Sequence, residues 1–256
     1  MLKILNILVI ILAISNCEQL SSSIITLDNT NLVNIRGEIN KLTNNKFIID
    51  MEKINYNKEI YVYINSPGGS VIEGFAMIEY IKNLQQQKIT ISCIADFAAS
   101  IAFVILQHCN NRYAFYSSIM MQHSMSLQLK GSLPTVDSYL KMLHDINIHL
   151  NTYQATKVKL SLDNFVKKTT SDWWVSGLTA ISENVVDKIV TIRCNPSLNN
   201  IYDNVNINTL FGDITINYSK CPLISHYHSI ILPNNISTIE LAKIIETNLR
   251  TPSYHV

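Results

Sequence analysis

Short runs of β-branched and aromatic residues alternate along the first half of the chain with segments of helical apolar spacing. Residues 59–64 and 89–95 have the composition of buried strands, and residues 70–85 carry apolar side chains on one helical face. A further apolar helix is predicted to begin near Ser100. Strands that alternate with helices predict parallel strands joined by crossover helices, which is an α/β fold.

Further elements are predicted on both sides of this central part. Residues 32–39 partly alternate and predict a first strand with a kink at Gly37, and residues 47–54 predict a short amphipathic helix. Two more short strands are predicted over 113–116 and 119–121, because both runs are rich in aromatic or long apolar residues.

A long amphipathic pattern then extends over residues 135–159. At about 1.5 Å per residue this helix would measure nearly ~40 Å, which is long for a compact domain, so it needs a partner surface. A short helix is predicted over 161–169, and residues 185–190 predict a closing strand or helix edge. Pro196 and an Asn-rich composition mark a boundary at residue 195.

The two ends of the chain differ in composition from the central part. Residues 1–17 contain one lysine and a short apolar run, as in a secretory signal peptide or signal anchor, although a first buried strand or helix is the alternative. We therefore expect export or membrane association through this segment, with a cytoplasmic location left open. Residues 18–31 predict a polar, loosely packed arm. Residues 195–256 form a C-terminal extension of unknown role, with a capping box at 237–240.

Composition narrows the function classes. The formal net charge of +1 argues against a nucleic-acid partner, which usually requires a basic excess. Cys93 lies in an apolar run and is expected to be a buried thiol. The pair His226 and His228 lacks further ligands at metal-site spacing, and no CxxC is present, so no metal site and no cofactor are predicted.

Two places have the residue types that catalysis requires. The turn Pro67-Gly68-Gly69 lies between a predicted strand and a helix, where backbone N–H groups can approach a ligand closely. Such a turn could stabilise an oxyanion, or it could be only a tight connection. Ser100 follows two alanines at a strand-to-helix turn, where it could be a nucleophile or simply a helix N-cap.

Taken in chain order, several segments resemble one family, the proteolytic subunits of Clp protease. Residues 64–71 (INSPGGSV) resemble the family's INSPGG segment, and residues 98–102 (AASIA) resemble its nucleophile segment. Residues 120–123 (MMQH) resemble its histidine strand, and 171–176 (SDWWVS) its aspartate segment. Residues 180–188 resemble the segment that closes the family domain.

This resemblance covers roughly residues 32–194 and implies a peptidase domain of the ClpP/crotonase fold class. That fold is an α/β spiral of ββα units with a protruding long handle helix, for which residues 135–159 are the counterpart. The implied activity is that of a serine endopeptidase acting on unfolded proteins or peptides. The implied assembly is a homo-oligomeric ring whose handles join two rings.

The resemblance also implies a role for each matching residue. Ser100 would attack the peptide carbonyl, His123 would act as general base and then general acid, and Asp172 would orient the imidazole. The backbone N–H groups of Gly69 and Ile101 would form the oxyanion hole.

Three departures from the family pattern leave alternatives open. Asp96 and Phe97 replace the usual glycine and glutamine before the alanines, so a catalytically inactive structural or regulatory ring subunit is the second hypothesis. A signal-like segment replaces the family's N-terminal axial loops, which leaves an ATP-driven unfoldase partner uncertain. The family has no tail as long as 195–256. A third hypothesis is a crotonase-type enzyme that binds acyl-CoA thioesters.

Overall fold

The structure, a computed structural model, describes residues 23–126, 130–209, 212–224 and 227–232. The elements in chain order are β1 (Ser23–Leu27), β2 (Leu32–Arg36), α1 (Lys41–Glu52), β3 (Ile60–Ser66), α2 (Val71–Gln86), β4 (Ile91–Ala99), α3 (Ile101–Gln107), β5 (Asn111–Gln122), α4 (Leu133–Lys157), α5 (Leu162–Thr169), β6 (Trp173–Ser176), β7 (Lys188–Cys194), a 3-10 turn (Pro196–Leu198), β8 (Tyr202–Thr209), β9 (Gly212–Ser219) and β10 (Tyr227–Ile231). The signal-like segment 1–17 and the capping box at 237–240 lie outside the described residues.

The first seven strands form one sheet in the order β1-β7-β5-β4-β3-β2, with parallel neighbours throughout, and β6 pairs antiparallel with β5. The five helices of the described ranges contribute buried side chains to one large apolar cluster with the central strands. A smaller cluster includes Leu27, Leu32, Tyr63 and Val190. The predicted α/β class with a mainly parallel sheet is confirmed.

The prediction of two short strands over 113–116 and 119–121 was wrong, because both runs belong to the single strand β5. Ser117 and Ser118 separate the two apolar runs in the sequence. Ser118 accepts a hydrogen bond from the Phe115 amide and donates one to the Ala95 carbonyl, both at 2.7 Å. The polar side chain is therefore satisfied inside the sheet, at the point where the β4–β5 register shifts.

The arm predicted over 18–31 was wrong for residues 23–27. These residues form β1, which pairs in parallel with β7, and Leu27 is fully buried. The polar serines and threonines around this segment concealed the alternation of Ile25 and Leu27, whose side chains belong to the smaller apolar cluster. The strand therefore extends the sheet at the edge next to β7.

Helix α4 is the long helix that the pattern predicted, displaced by two residues. Its carboxyl-terminal half is anchored, because Leu150 and Ala155 are buried and Tyr153 stacks on His108 at 3.9 Å between ring centroids. Its amino-terminal part leaves large apolar side chains exposed, among them Leu133 and Leu140. In the described ranges, no helix is long and apolar enough to cross a membrane.

The prediction that Cys93 is a buried thiol was wrong, because Cys93 forms a disulfide with Cys109, which lies just after α3. The second disulfide joins Cys194, at the end of β7, to Cys221. A single sequence gives no means of pairing four cysteines, since several pairings are compatible with it.

The described part of the C-terminal extension is folded, with β8, β9 and β10 forming an antiparallel sheet. A group that we call the Asp203 clamp, consisting of Asn34, Lys46, Asp50 and Asp203, joins β8 to β2 and α1. Asn34 donates to the Asp203 carboxylate, and the Lys46 ammonium lies 2.8 Å from it while also pairing with Asp50. The extension is thus attached to the seven-stranded core by charges that are buried or partly buried.

Candidate active site

Ser100 lies at a sharp turn between β4 and α3. Its backbone has φ 56° and ψ −125°, a region that residues with a side chain rarely adopt. The Ser100 amide donates a 2.9 Å hydrogen bond to the Met121 carbonyl of β5, so the turn is fixed against the neighbouring strand. A serine held in a strained strand-to-helix turn resembles the nucleophile elbow of serine hydrolases.

His123 and Asp172 are brought together by the antiparallel pairing of β5 with β6. The last pair in the register is Gln122 with Trp173, so the next residues outward are His123 and Asp172. The ladder ends at that pair, and the next backbone contact joins the Ser124 amide to the Thr169 carbonyl, so His123 and Asp172 directly flank the paired ends of the two strands. Because Ser100 is held against Met121, all three predicted residues lie at the same edge of the sheet.

The three side chains do not hydrogen-bond to one another in the described part of the chain. Ser100 and His123 are partly exposed, and Asp172 is exposed. The strand ends determine their backbone positions, whereas rotation about the side-chain bonds decides whether the hydroxyl, imidazole and carboxylate align. Catalytic hydrogen bonds are commonly long or poorly aligned in structures without substrate.

The turn after β3 presents a backbone N–H toward this edge. Ile39 donates to the Gly68 carbonyl at 2.7 Å and accepts from the Ser70 amide at 2.8 Å, so Ile39 is bridged to the residues on either side of Gly69. In a parallel ladder, the N–H of the residue between those two partners points to the opposite side. That side is the one occupied by β4 and Ser100.

Neither predicted oxyanion donor has an acceptor within the described ranges. Gly69 donates no hydrogen bond there, and Ile101 is the first residue of α3, where helix geometry leaves the N–H unpaired. The two amides belong to neighbouring segments, since a Cβ added to Gly68 would lie 3.2 Å from the Ile101 nitrogen. Such a pair of donors is the arrangement that stabilises a developing oxyanion.

Close backbone packing explains the glycines of this turn. A Cβ added to Gly68, at φ 92°, would lie 2.8 Å from the Ser100 Cβ and 2.7 Å from the Ala99 carbonyl oxygen. A Cβ added to Gly74 would lie 2.2 Å from Cγ1 of Ile101. Only glycine therefore allows the turn and α2 to approach the Ser100 segment so closely.

Asp96 does not face the candidate nucleophile. Its carboxylate accepts hydrogen bonds from the Tyr63 hydroxyl at 2.7 Å and from the Asn65 side chain at 2.8 Å. Burial, followed by the nearby Asp96 carboxylate, raises the pKa of Tyr63. The substitution that motivated the inactive-subunit hypothesis is therefore accommodated by residues of β3.

Sequence reasoning missed two residues next to this site, Gln122 and Gln154, which hydrogen-bond to each other in the core at 2.6 Å. The signal for Gln122 was its interruption of an apolar run directly before His123. Gln154 gave no local signal, because a polar residue on an amphipathic helix is ordinarily exposed.

Of the two histidines His226 and His228 in the extension, the described ranges include His228. His226 is outside the described residues, and His228 stacks on Tyr202 at 4.2 Å between ring centroids. Across the described ranges, no group of three or more histidine, cysteine, aspartate or glutamate residues is arranged to hold a metal ion.

Comparison with known proteins identifies relatives of the whole core. The family model described as Clp protease matches residues 15–193. The ATP-dependent Clp protease proteolytic subunit 2 of Treponema denticola is 27% identical over 170 residues, which cover 64% of this chain and 84% of that protein. The protein of the same name from Treponema pallidum is 22% identical over 169 residues, with the same coverage.

Proposed function

Because the chain belongs to the Clp protease family, whose members are peptidases, we propose that it is a serine endopeptidase with Ser100, His123 and Asp172 as its catalytic triad. The observation that carries the proposal is the register of β4, β5 and β6. It brings the strand ends that carry these residues to one edge of the sheet, beside two unpaired backbone amides.

The proposed reaction is acyl transfer to serine followed by hydrolysis. The Ser100 Oγ attacks the carbonyl carbon of the peptide while His123 accepts the hydroxyl proton, and Asp172 stabilises the imidazolium. The amides of Gly69 and Ile101 donate to the oxyanion of the tetrahedral intermediate. The C–N bond then breaks as His123 protonates the amine, and water attacks the acyl-serine by the same route to release the acid.

The surrounding features support a polypeptide substrate and a ring assembly. Members of this family form rings and degrade polypeptides, and exposed apolar residues on α4 offer a surface for joining copies of the chain. We propose a homo-oligomeric ring that acts on polypeptides. Residues 1–17 are proposed to direct export or membrane association.

Fluorophosphonate labelling combined with peptide hydrolysis tests the proposed chemistry. The full chain should be labelled at Ser100 and should hydrolyse unstructured peptides, and Ser100→Ala should abolish both. The control is Ser117→Ala, because Ser117 is an exposed serine of β5 away from the turn. That variant should react like the wild type.

Two results would contradict the proposal. Labelling that persists in Ser100→Ala would assign the nucleophile to another residue. A well-folded wild-type protein that is neither labelled nor active would favour the inactive ring subunit, and affinity of that protein for an acyl-CoA thioester would favour the crotonase-type alternative.

A further inference from the structure

A chain of three hydrogen bonds connects the backbone of His123 to helix α4. The His123 amide donates to Oε1 of Gln122 at 3.3 Å, and Nε2 of Gln122 donates to Oε1 of Gln154 at 2.6 Å. Nε2 of Gln154 then donates to the Leu150 carbonyl at 3.2 Å. In each of these three hydrogen bonds the donor is the group nearer to His123 along the series, and the acceptor is the group nearer to the Leu150 carbonyl.

Both glutamines are buried in apolar surroundings. Gln122 is 5% exposed and Gln154 is 1% exposed, and the neighbouring Met120 and Leu150 belong to the main apolar cluster. An amide in such surroundings is costly unless it is hydrogen-bonded. An aliphatic side chain would fill the same space without that cost, so the pair is not explained by packing alone.

The position of the pair indicates what it does. His123 follows the last ladder pair of β5 with β6, and the next fixed point is Ser124, whose amide donates to the Thr169 carbonyl at 2.8 Å. Between these two points, the His123 amide has the Gln122 side chain as its acceptor. The direction in which the imidazole leaves the backbone therefore depends on where Gln122 is held.

We propose that Gln122 and Gln154 are positioning residues, which fix the backbone of His123 by anchoring it to α4. This inference rests on the proposed function, in which His123 is the general base. It goes beyond that proposal by assigning part of the catalytic geometry to a residue of the long helix. Misplacement of a catalytic group by about 1 Å can cost about 10²-fold in rate.

The test compares a paired substitution with the wild type in the full-length chain. Gln122→Met with Gln154→Met removes both amides together and keeps similar volumes, so no buried amide group of the pair loses its partner. We expect the rate of fluorophosphonate labelling at Ser100 and the kcat for peptide hydrolysis to fall about 10- to 100-fold. The KM and the unfolding midpoint should stay near the wild-type values.

The matched control is Met120→Leu, a volume-conserving change two residues earlier in β5 and on the same face of the strand. It should leave the labelling rate unchanged. If the wild type is labelled and the double variant is labelled equally fast, the positioning role is overturned while the proposed function stands. If the wild type is not labelled, the proposed function itself fails.

A third result would also overturn the inference. Slower labelling that accompanies a lower unfolding midpoint or a changed native mass would mean that the pair serves folding or assembly. Native mass and thermal unfolding are therefore measured for all three proteins in the same buffer.

Discussion

The edge that carries Ser100 and the Asp203 clamp both include residues of the seven-stranded sheet, yet they differ in how their charged and backbone polar groups are paired. At the Ser100 edge, the Gly69 and Ile101 amides have no acceptor within the described ranges, and the serine backbone is strained. At the clamp, the Asp203 carboxylate accepts from two side chains, and its lysine partner also pairs with Asp50.

The pKa of Lys46 follows from this pairing. Burial alone would lower it, but the Asp203 carboxylate, followed by that of Asp50, outweighs burial and raises it. The clamp therefore favours the charged form of Lys46 in the folded state.

The difference distinguishes a region whose polar groups stabilise the fold from a region whose polar groups are available to a substrate. A strained serine is unfavourable in the resting protein, but the serine and the two unpaired donors are the groups that a tetrahedral intermediate would engage. At the clamp, the Asp203 carboxylate and the Lys46 ammonium are paired within the fold, and only Asn34 Oδ1 among its described side-chain atoms is buried without a partner. We therefore expect substitutions in the two regions to have separable effects on activity and on stability.

The largest separation is expected for Ser100→Gly. The substitution removes the proposed nucleophile, so peptide hydrolysis should fall by about 10³-fold or more. Glycine adopts positive φ without a steric penalty, so the free energy of unfolding should rise by about 1 kcal/mol. Hydrolysis of an unstructured peptide and urea unfolding measure the two effects.

Ser117→Gly is the control for that experiment, because Ser117 is an exposed position inside β5 with ordinary backbone angles. It should keep full activity and lose about 0.5–1 kcal/mol of stability, as glycine does inside a strand. A loss of stability in Ser100→Gly would show that the turn is not strained, and the comparison between the two regions would then fail.

The next effect concerns His108, which belongs with the packed interior rather than with the reactive edge. It is 2% exposed and stacks on Tyr153, and burial lowers its pKa to about 4 from an ordinary 6.5. Below pH 6.5 the unfolded chain binds a proton that the folded chain does not accept. The free energy of unfolding should therefore decrease as the pH falls from 6.5 to 4, by about 3 kcal/mol.

His108→Phe retains a ring that can stack on Tyr153 but does not titrate. Urea unfolding of this variant and of the wild type across the same pH range isolates the contribution of His108. The variant should lose less stability than the wild type between pH 6.5 and 4. Parallel curves for the two proteins would mean that His108 binds its proton equally well in both states.

Sequence reasoning succeeded where the signal was local. The apolar runs of β3 and β4 predicted buried strands, and the turn residues Pro67 to Gly69 predicted the connection to α2. The same approach was wrong for β1 and for the middle of β5, because polar side chains that are satisfied in the sheet look like breaks in the pattern. The roles of Ser100, His123 and Asp172 came from a family resemblance and stay a prediction.

What the sequence did not reveal depends on contacts between distant residues. Asn34 and Asp203 are 169 positions apart, and Gln122 and Gln154 are 32 positions apart. Each of these residues is unremarkable in its own segment. Their pairing follows from the way the sheet and α4 pack, which periodicity and spacing do not determine.

The smallest effect is expected at the clamp itself, from Asp203→Ala. Asn34 and Lys46 each lose an acceptor, but Lys46 is partly exposed and keeps Asp50, so the cost should be about 2 kcal/mol rather than that of a fully buried pair. Peptide hydrolysis at a temperature where the variant is folded should be unchanged.

Asp213→Ala, at an exposed aspartate of β9, is the control and should alter neither the stability nor the rate of hydrolysis. Reduced hydrolysis in folded Asp203→Ala would connect the clamp to the Ser100 edge, for which Arg36 offers a route because its guanidinium lies over the rings of both Tyr63 and Tyr218.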